Sequence, residues 1–464
     1  MYLKKLHINN FRCFNDYTIE FAPRVSVLFG KNGSGKTTLI HAIHKALSFM
    51  MHSEKIKGKD PKTKKLKVVA EKTLRGGNPY VSVEGFSKTG EAHYDGVKRA
   101  DYSIDIKAEA TLDEQTQIEW GMSVYYIDNR LRTSEYRDAF NQLYDWHIRT
   151  GNRALLAYYS DGYPHYSNVI KSKKENSKEA FLVKSFDESI GYTDWNSEVG
   201  CTNTWLVRLE TQIRVIEYAK RQIETAENND VRKAALDELE IAEKEVSYIT
   251  DILKTFSRND SNYAINNIRI SPYDACLQII AMNGKPYSFR KLPAGYKRMY
   301  YIALDLAYRS FFLTNGKMKD IGGVVIIDEI DLHLHPELEK VVLKRFMDTF
   351  PNLQFIVSTH SPLVLTGVET VEKKNRILKM DSGQSTPEVM FDIYGLDLNS
   401  GLQEIMDVNP NDDELNRWIS RCAYMRSKGY QEQADNLKTF IVGKELLTSE
   451  EIEKRINQIL KQLN

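Results

Sequence analysis

Cysteine is scarce in this sequence. The four residues, Cys13, Cys201, Cys276 and Cys422, lie far apart and form no CxxC pair. That excludes a zinc framework built from cysteine alone and fits reduced thiols. Net charge is almost absent too: 64 Lys and Arg stand against 63 Asp and Glu, a formal charge of +1. Such a balance gives no global pull toward nucleic acid or an anionic membrane. No run reaches ~18 apolar residues, so no spanning helix and no membrane partner are expected. Met1 opens a polar, strand-like segment, not a secretory apolar region. Internal repeats and low-complexity tracts are missing as well. These absences point to a cytoplasmic protein. What remains is a chain of 464 residues, 42% apolar and 11% aromatic. It is long enough to bury a large core and to hold two or more structural units.

Against that background one stretch stands out. Val25 to Phe29 reads as a buried strand, Gly30 to Gly35 as a glycine-rich turn, and Lys36 as the start of a helix. Gly30-x-x-x-x-Gly35-Lys36-Thr37 is a complete P-loop in its required strand-to-helix context. Gly30, Gly33 and Gly35 let the backbone N–H groups of the loop, with Lys31, Asn32 and Ser34, converge on phosphate oxygens. The helix N-terminus adds a favourable dipole at Thr37 and Thr38. Lys36 can reach the β- and γ-phosphates, and the Thr37 hydroxyl can take Mg²⁺. The stretch predicts binding of a nucleoside triphosphate.

Residues 2–9 and Tyr17 to Phe21 alternate and read as paired antiparallel strands around a bend at Asn10–Phe14. Residues 52–67 carry seven lysines with Gly58, Asp60 and Pro61 and read as a loop, either solvated or touching a phosphate backbone. Tyr80–Glu84, Tyr102–Lys107 and Ile118–Ile127 suggest an antiparallel sheet. Asp138 to Thr150 looks helical. Arg153 to Tyr159 reads as a buried strand, followed by a loop at Ser160–Pro164. Trp205 to Phe256 reads as a helical hairpin, with Asp230 capping the second helix after the turn at Asn228. It is either an amphipathic pair packed on the core or the stub of a coiled-coil arm. Ile268–Ile270 and Cys276–Ala281 read as a hairpin, with Asn283-Gly284 turning before Tyr287–Phe289. Leu292 to Phe312 and Glu337 to Thr349 read as helices. Gly323 to Asp328 and Leu353 to Ser358 read as buried strands. Strands alternating with helices imply a parallel sheet covered by helices. The residues after Tyr394 look helical and polar.

Three further elements carry chemistry. Val324–Ile327 ends in Asp328-Glu329, which places two carboxylates at the carboxyl end of a central strand, beside the P-loop. Asp328 would hold Mg²⁺ and Glu329 would orient or deprotonate an attacking water. Ser358-Thr-His360-Ser-Pro362 leaves the next strand, where His360 can bond a γ-phosphate. Leu292-Pro-Ala-Gly295-Tyr-Lys-Arg298 opens a helix whose N-terminus can meet an anion. His333 and His335, two apart beside carboxylates, invite a metal reading, but Pro336 argues for an exposed turn instead.

The order of these motifs resembles the ABC-type ATPase heads, in the branch of the RecF, SMC and OLD-related ATPases. The opening Asn10-Phe-Arg12-Cys-Phe14 is similar to that branch too. The resemblance covers about residues 1–50 and 285–365 with specific motifs. It implies an α/β fold: an ABC-type ATPase head with a parallel core sheet and an antiparallel β subdomain, a helical hairpin insertion, and a helical C-terminal tail. The units expected are 1–204, the first part of the head; 205–262, the hairpin; 263–390, the rest of the head; and 391–464, an oligomerisation or docking region. It implies ATP and Mg²⁺ as cofactors, Arg12 among the nucleotide contacts, and a head-to-head homodimer or higher oligomer. In that pair Gly295 of one chain faces the P-loop of the other. The sequence departs from the family at Pro293, where the usual signature serine is replaced by a residue with neither hydroxyl nor N–H. Slow, regulatory hydrolysis is therefore expected.

Tyr158-Tyr159, Gly191-Tyr192, the Trp205 helix and the tail from Gly395 through Ile405, Arg417, Ala434 and Leu437 look most like PtuA, the ATPase family of Septu anti-phage defence systems. Asp392 and Asp397 lack the D-x-D spacing of a Toprim nuclease, so the resemblance implies a separate nuclease subunit of HNH type, with DNA reached through the complex. The sequence admits two alternatives. One is a RecF- or Rad50-like repair ATPase that binds DNA itself. The other is a transporter's ATP-binding subunit, which the long insertion and Pro293 disfavour.

Overall fold

The computed structural model describes residues 1–59, 66–75, 83, 103–125, 130–160, 186–195, 202–260, 262–273, 276–317, 321–370, 374–390, 393–395, 410–442 and 448–463. Most of Tyr80–Glu84, the loop at 161–164 and the tail segment 396–407 lie outside them. Met1–Tyr394 forms one compact unit and Gly395–Asn464 another.

The first unit starts with β1 (Tyr2–Phe11) and β2 (Phe14–Glu20), antiparallel as the alternation predicts. β3 (Val25–Phe29) is buried throughout and leads through the P-loop into α1 (Lys36–Leu47). The described parts of the lysine-rich segment are strand, not loop; residues 60–65 lie outside the described residues. β4 (Ser53–Lys59) pairs with β5 (Leu66–Thr73) in a two-stranded ribbon. Ladder hydrogen bonds join backbones, so two strands with charged side chains can pair where both faces meet water. The register shifts between Ile56 and Lys57, the kind of irregularity that adds twist to an edge.

β6 (Ser103–Thr111), β7 (Gln117–Tyr125) and β8 (Arg130–Arg132) extend the first hairpin into a five-stranded antiparallel sheet, in the order β2-β1-β6-β7-β8. Then come α2 (Arg137–Thr150) and β9 (Leu155–Tyr159). The hairpin helices follow, α3 (Thr202–Thr225) and α4 (Asn229–Ser257). Asn228 caps α4, not Asp230: its side chain accepts the Asp230 N–H at 2.8 Å. β10 (Ile265–Ile270), β11 (Leu277–Ala281) and β12 (Pro286–Ser288) make a small antiparallel sheet.

α5 (Ala294–Thr314) is buried along most of its length. β13 (Gly323–Ile327) precedes α6 (Pro336–Glu339) and α7 (Val342–Thr349), which replace the single helix read over 337–349. The break falls at Lys340, whose carbonyl lies only 2.4 Å from where a Cβ on Gly367 would stand. β14 (Leu353–Ser358), α8 (Pro362–Thr366), β15 (Asn375–Lys379) and β16 (Glu388–Met390) complete the unit.

The core sheet runs β16-β15-β3-β14-β13-β9, parallel except for the β16 edge. This is the mixed α/β head implied above: a helix-covered parallel sheet joined to an antiparallel one. The four apolar side chains of β13 are fully buried and contribute about 1.5–3 kcal/mol each.

The hairpin packs its base on α5. Trp205 stacks on Tyr308 at 4.9 Å between ring centroids and donates to Asp305 at 2.6 Å. Arg208 and Glu245, both fully buried, pair through two hydrogen bonds at 2.6 and 2.8 Å. Toward the hairpin tip the apolar stripes run past the covered face. Tyr218, Val231, Leu236 and Ile241 are exposed.

The second unit has its own small core. α9 (Pro410–Ser427), α10 (Gln431–Val442) and α11 (Ser449–Leu463) surround Ile419, Cys422, Ile441, Ile452 and Ile456. Arg426 and Lys438 both bond Glu453 and hold its carboxyl down to about 2.

Candidate functional site

β14 lies between β3 and β13 in parallel register, with Ile356 opposite Ser26 on one side and Ile326 on the other. Three strand ends therefore reach the same edge of the sheet. They carry the P-loop, Asp328-Glu329 and Ser358-Thr359-His360, in line with the rule that ligands bind outside the carboxyl ends of such strands.

The P-loop is built for close approach. Gly30, Gly33 and Gly35 all have positive φ. A Cβ on Gly30 would stand 2.2 Å from the Met380 carbonyl oxygen, so only glycine fits. Lys36 is buried and folds back over the loop, donating to Gly30 O at 2.8 Å and Lys31 O at 3.1 Å. Burial lowers its pKa, and Asp328, Glu329 and Asp331 oppose that shift. These three carboxylates are thus the charges that the lysine feels. Ser34 is buried with no hydrogen-bond partner for its Oγ. A buried hydroxyl left unsatisfied is an acceptor or donor awaiting a ligand. Lys31, Asn32 and Thr37 are exposed, and Thr38 is half-buried at the start of α1. The open loop, the orphaned hydroxyl and the lysine facing carboxylates fit a nucleoside triphosphate with Mg²⁺.

A profile of AAA domains matches residues 5–266, more than half of the chain. The chain belongs to the AAA domain family. Relatives of this AAA-domain chain include "Retron Vc95 probable ATPase" of Vibrio cholerae serotype O1 biovar El Tor. It is 24% identical over 405 residues, covering 80% of this chain and 73% of that one. "Septu protein PtuA" of Bacillus thuringiensis is 28% identical over 159 residues, 30% of this chain and 39% of that one. "DNA replication and repair protein RecF" of Haemophilus ducreyi is 25% identical over 379 residues, 75% of this chain and 90% of that one. The resemblance to PtuA and RecF that the motifs carried is thus matched by alignment.

Asp328 is buried at the end of β13, and its Oδ1 accepts from the Ser358 hydroxyl. Glu329 is half-buried with φ +49, a left-handed backbone that a glutamate rarely adopts. Arg298 is 2% exposed and donates to the carbonyls of Asp328 at 2.7 Å, Glu329 at 3.2 Å and Ser160 at 3.3 Å. His360 is exposed just beyond β14, and its backbone N–H points to Asp331 Oδ1 at 3.4 Å. Thr359 donates to the same oxygen at 2.5 Å. Arg12 has φ +50, is half-buried against Phe11, and with burial helps to lower the pKa of His41 on α1. Its neighbours Cys13 and Phe14 stand where a Cβ on Gly35 would be, which places this bend beside the P-loop.

Gly295 lies in the first turn of α5. It packs inside its own chain, where a Cβ would meet the His333 carbonyl oxygen at 2.5 Å and Leu334 at 3.2 Å. Gly295→Ala is expected to destabilise the fold by about 1–3 kcal/mol, the usual range for overpacking. A thermal melt checks this; an unshifted midpoint would show that the site yields freely. Pro293 caps α5 with no side-chain bond and offers only its carbonyl, which accepts the Lys297 N–H at 2.8 Å. His335 caps α6, accepting the Glu337 N–H at 3.4 Å, which gives it a structural task.

Arg298 and Ser358 both stand inside the sequence motifs, but only the fold gives them their partners. The available signal was polarity in a buried strand. Gln354 and Ser358 interrupt β14, and such groups must find partners. Gln354 bonds Leu3 and Ala22; Ser358 bonds the site.

Proposed function

We propose that this chain is an ATP-hydrolysing subunit of an anti-phage defence complex that controls a separate nuclease. The observation that carries the reading is the convergence of Lys36, Asp328, Glu329 and His360 at one sheet edge. Lys36 and the loop amides hold the β- and γ-phosphates, and Thr37 and Asp328 hold Mg²⁺. Glu329 orients and deprotonates water, and His360 bonds the γ-phosphate. The Mg²⁺ supplies neutralisation of phosphate charge. Two heads clasp ATP between them, with Gly295 and the N-terminus of α5 meeting the partner's nucleotide.

The loss of a signature hydroxyl at Pro293 supports slow turnover, with ATP acting as a clamp. Steady-state hydrolysis by the purified chain tests it, and fast cooperative turnover would contradict it. The retron and Septu relatives support the defence role; the HNH-type nuclease partner is what the resemblance to PtuA implies. Its test is the product of the adjacent gene: an HNH-bearing neighbour that co-purifies with this chain supports the reading, and one without any nuclease motif counts against it.

A second reading has an observation of its own. The β4–β5 ribbon carries Lys55, Lys57, Lys59, Lys67 and Lys72, and a RecF protein aligns along most of its length. Under this reading the chain binds DNA directly. Binding to duplex DNA across a salt series separates the two. Direct binding gives a log–log slope of about −0.9 per phosphate neutralised, reduced when ribbon lysines become glutamine. The defence reading expects little binding by the lone chain and no dependence on these lysines.

A further inference from the structure

Glu329 holds an uncommon backbone, and two elements distant in sequence share the task of keeping it there. Arg298 of α5 holds its carbonyl and the carbonyl before it. Ser358 of β14 holds its N–H: Oγ accepts that hydrogen at 2.8 Å. The same hydroxyl donates its own hydrogen to Asp328 Oδ1. One hydroxyl can do both, having one donor and two acceptor positions. Ser358 is fully buried, so water cannot replace it. It therefore ties the side chain of one acidic residue to the backbone of the next.

We infer that Ser358 is a positioning residue that fixes the Glu329 backbone against the Asp328 carboxylate. The inference rests on the catalytic role proposed for Glu329. Ser358 also ends the strand that leads to His360 two residues later. A shift of that strand reaches Glu329 through the Ser358 hydroxyl and, one residue on, through the Ile330 N–H, which donates to the Ser358 carbonyl at 3.0 Å. The γ-phosphate contact and the water-activating carboxylate are thereby linked inside one chain.

Alanine removes both bonds, so the Glu329 N–H loses the acceptor that Ser358 supplies. Threonine keeps the hydroxyl and suits a strand. Cysteine keeps the size but bonds weakly. The full-length protein and Ser358→Ala, Ser358→Thr and Ser358→Cys are compared in three assays: ATP turnover with Mg²⁺, binding of a fluorescent ATP analogue, and hydrogen–deuterium exchange of peptides containing Glu329. Ser358→Ala is expected to lower kcat about 10- to 100-fold, the range for losing a supporting partner of a site residue. Analogue affinity should hold, and exchange at Glu329 should quicken. Ser358→Thr should restore both, and Ser358→Cys should fall between.

Wild-type turnover in Ser358→Ala would overturn the inference. So would unchanged exchange, or loss of analogue binding matching the loss of rate. If Ser358→Ala does not fold, the threonine and cysteine variants decide: equal rates in both overturn it. A wild-type protein that binds ATP without hydrolysing it would instead overturn the role of Glu329, while the exchange assay still reports whether Ser358 holds that backbone.

Discussion

Lys36→Ala is expected to lower ATP affinity by at least about 100-fold, since each charge-assisted hydrogen bond to phosphate contributes about 1.5–3 kcal/mol. The ammonium already sits over the loop, bonded to Gly30 O and Lys31 O, so little rearrangement separates it from an incoming phosphate. The fold should survive. The deleted amine leaves two backbone carbonyls that water can reach through the open loop, and β3 and α1 keep their own ladders. Some stability is still lost, because Lys36 is the cation facing Asp328, Glu329 and Asp331. Calorimetric titration with ATP and Mg²⁺ checks the affinity, and a melt without nucleotide checks the fold. Retained binding in a folded variant would remove the P-loop from the site.

Glu329→Gln is expected to lower turnover by about 10²–10⁴-fold, the usual contribution of a general base, while ATP still binds. The substitution is close to isosteric. Arg298 and Ser358 hold the backbone at residue 329 through main-chain atoms, so the left-handed turn does not depend on the carboxylate. Removing one negative charge opposite Lys36 also lessens repulsion toward the triphosphate, so affinity should hold or rise. The variant should therefore trap ATP. If two heads clasp the nucleotide, its mass by light scattering should rise when ATP is added. Unchanged turnover would exclude Glu329 as the base. A trapped but monomeric variant would leave the catalytic role intact and sink the head-to-head arrangement.

The site was legible where its parts are local. Gly30–Thr37 is one continuous segment, and each residue's task follows from its neighbours. Asp328-Glu329 and His360 were legible as the ends of apolar runs, because a buried strand must stop where polar residues begin. The helical hairpin was legible from its spacing, though its tip was not. Periodicity reports which residues are apolar, and it cannot report how far the covering element, α5, extends.

Other features escaped because they depend on distant partners. The lysine-rich ribbon looked like a loop, since strand pairing between β4 and β5 is made by backbone atoms that leave no mark on side-chain type. The reason for a glycine at Gly295 comes from His333, and that for Gly367 from Lys340.

By itself the sequence determined the glycine-rich loop, the carboxylates at the end of an apolar strand, and the α/β alternation that makes a parallel sheet. Each follows from local chemistry or from strand and helix periods. The tertiary structure alone decided that β14 stands between β3 and β13, that Arg298 grips the end of β13, and that the Ser358 hydroxyl joins Asp328 to Glu329. Residues thirty positions apart meet only when strands align in register, and one hydroxyl can bridge them only when that register places it between both.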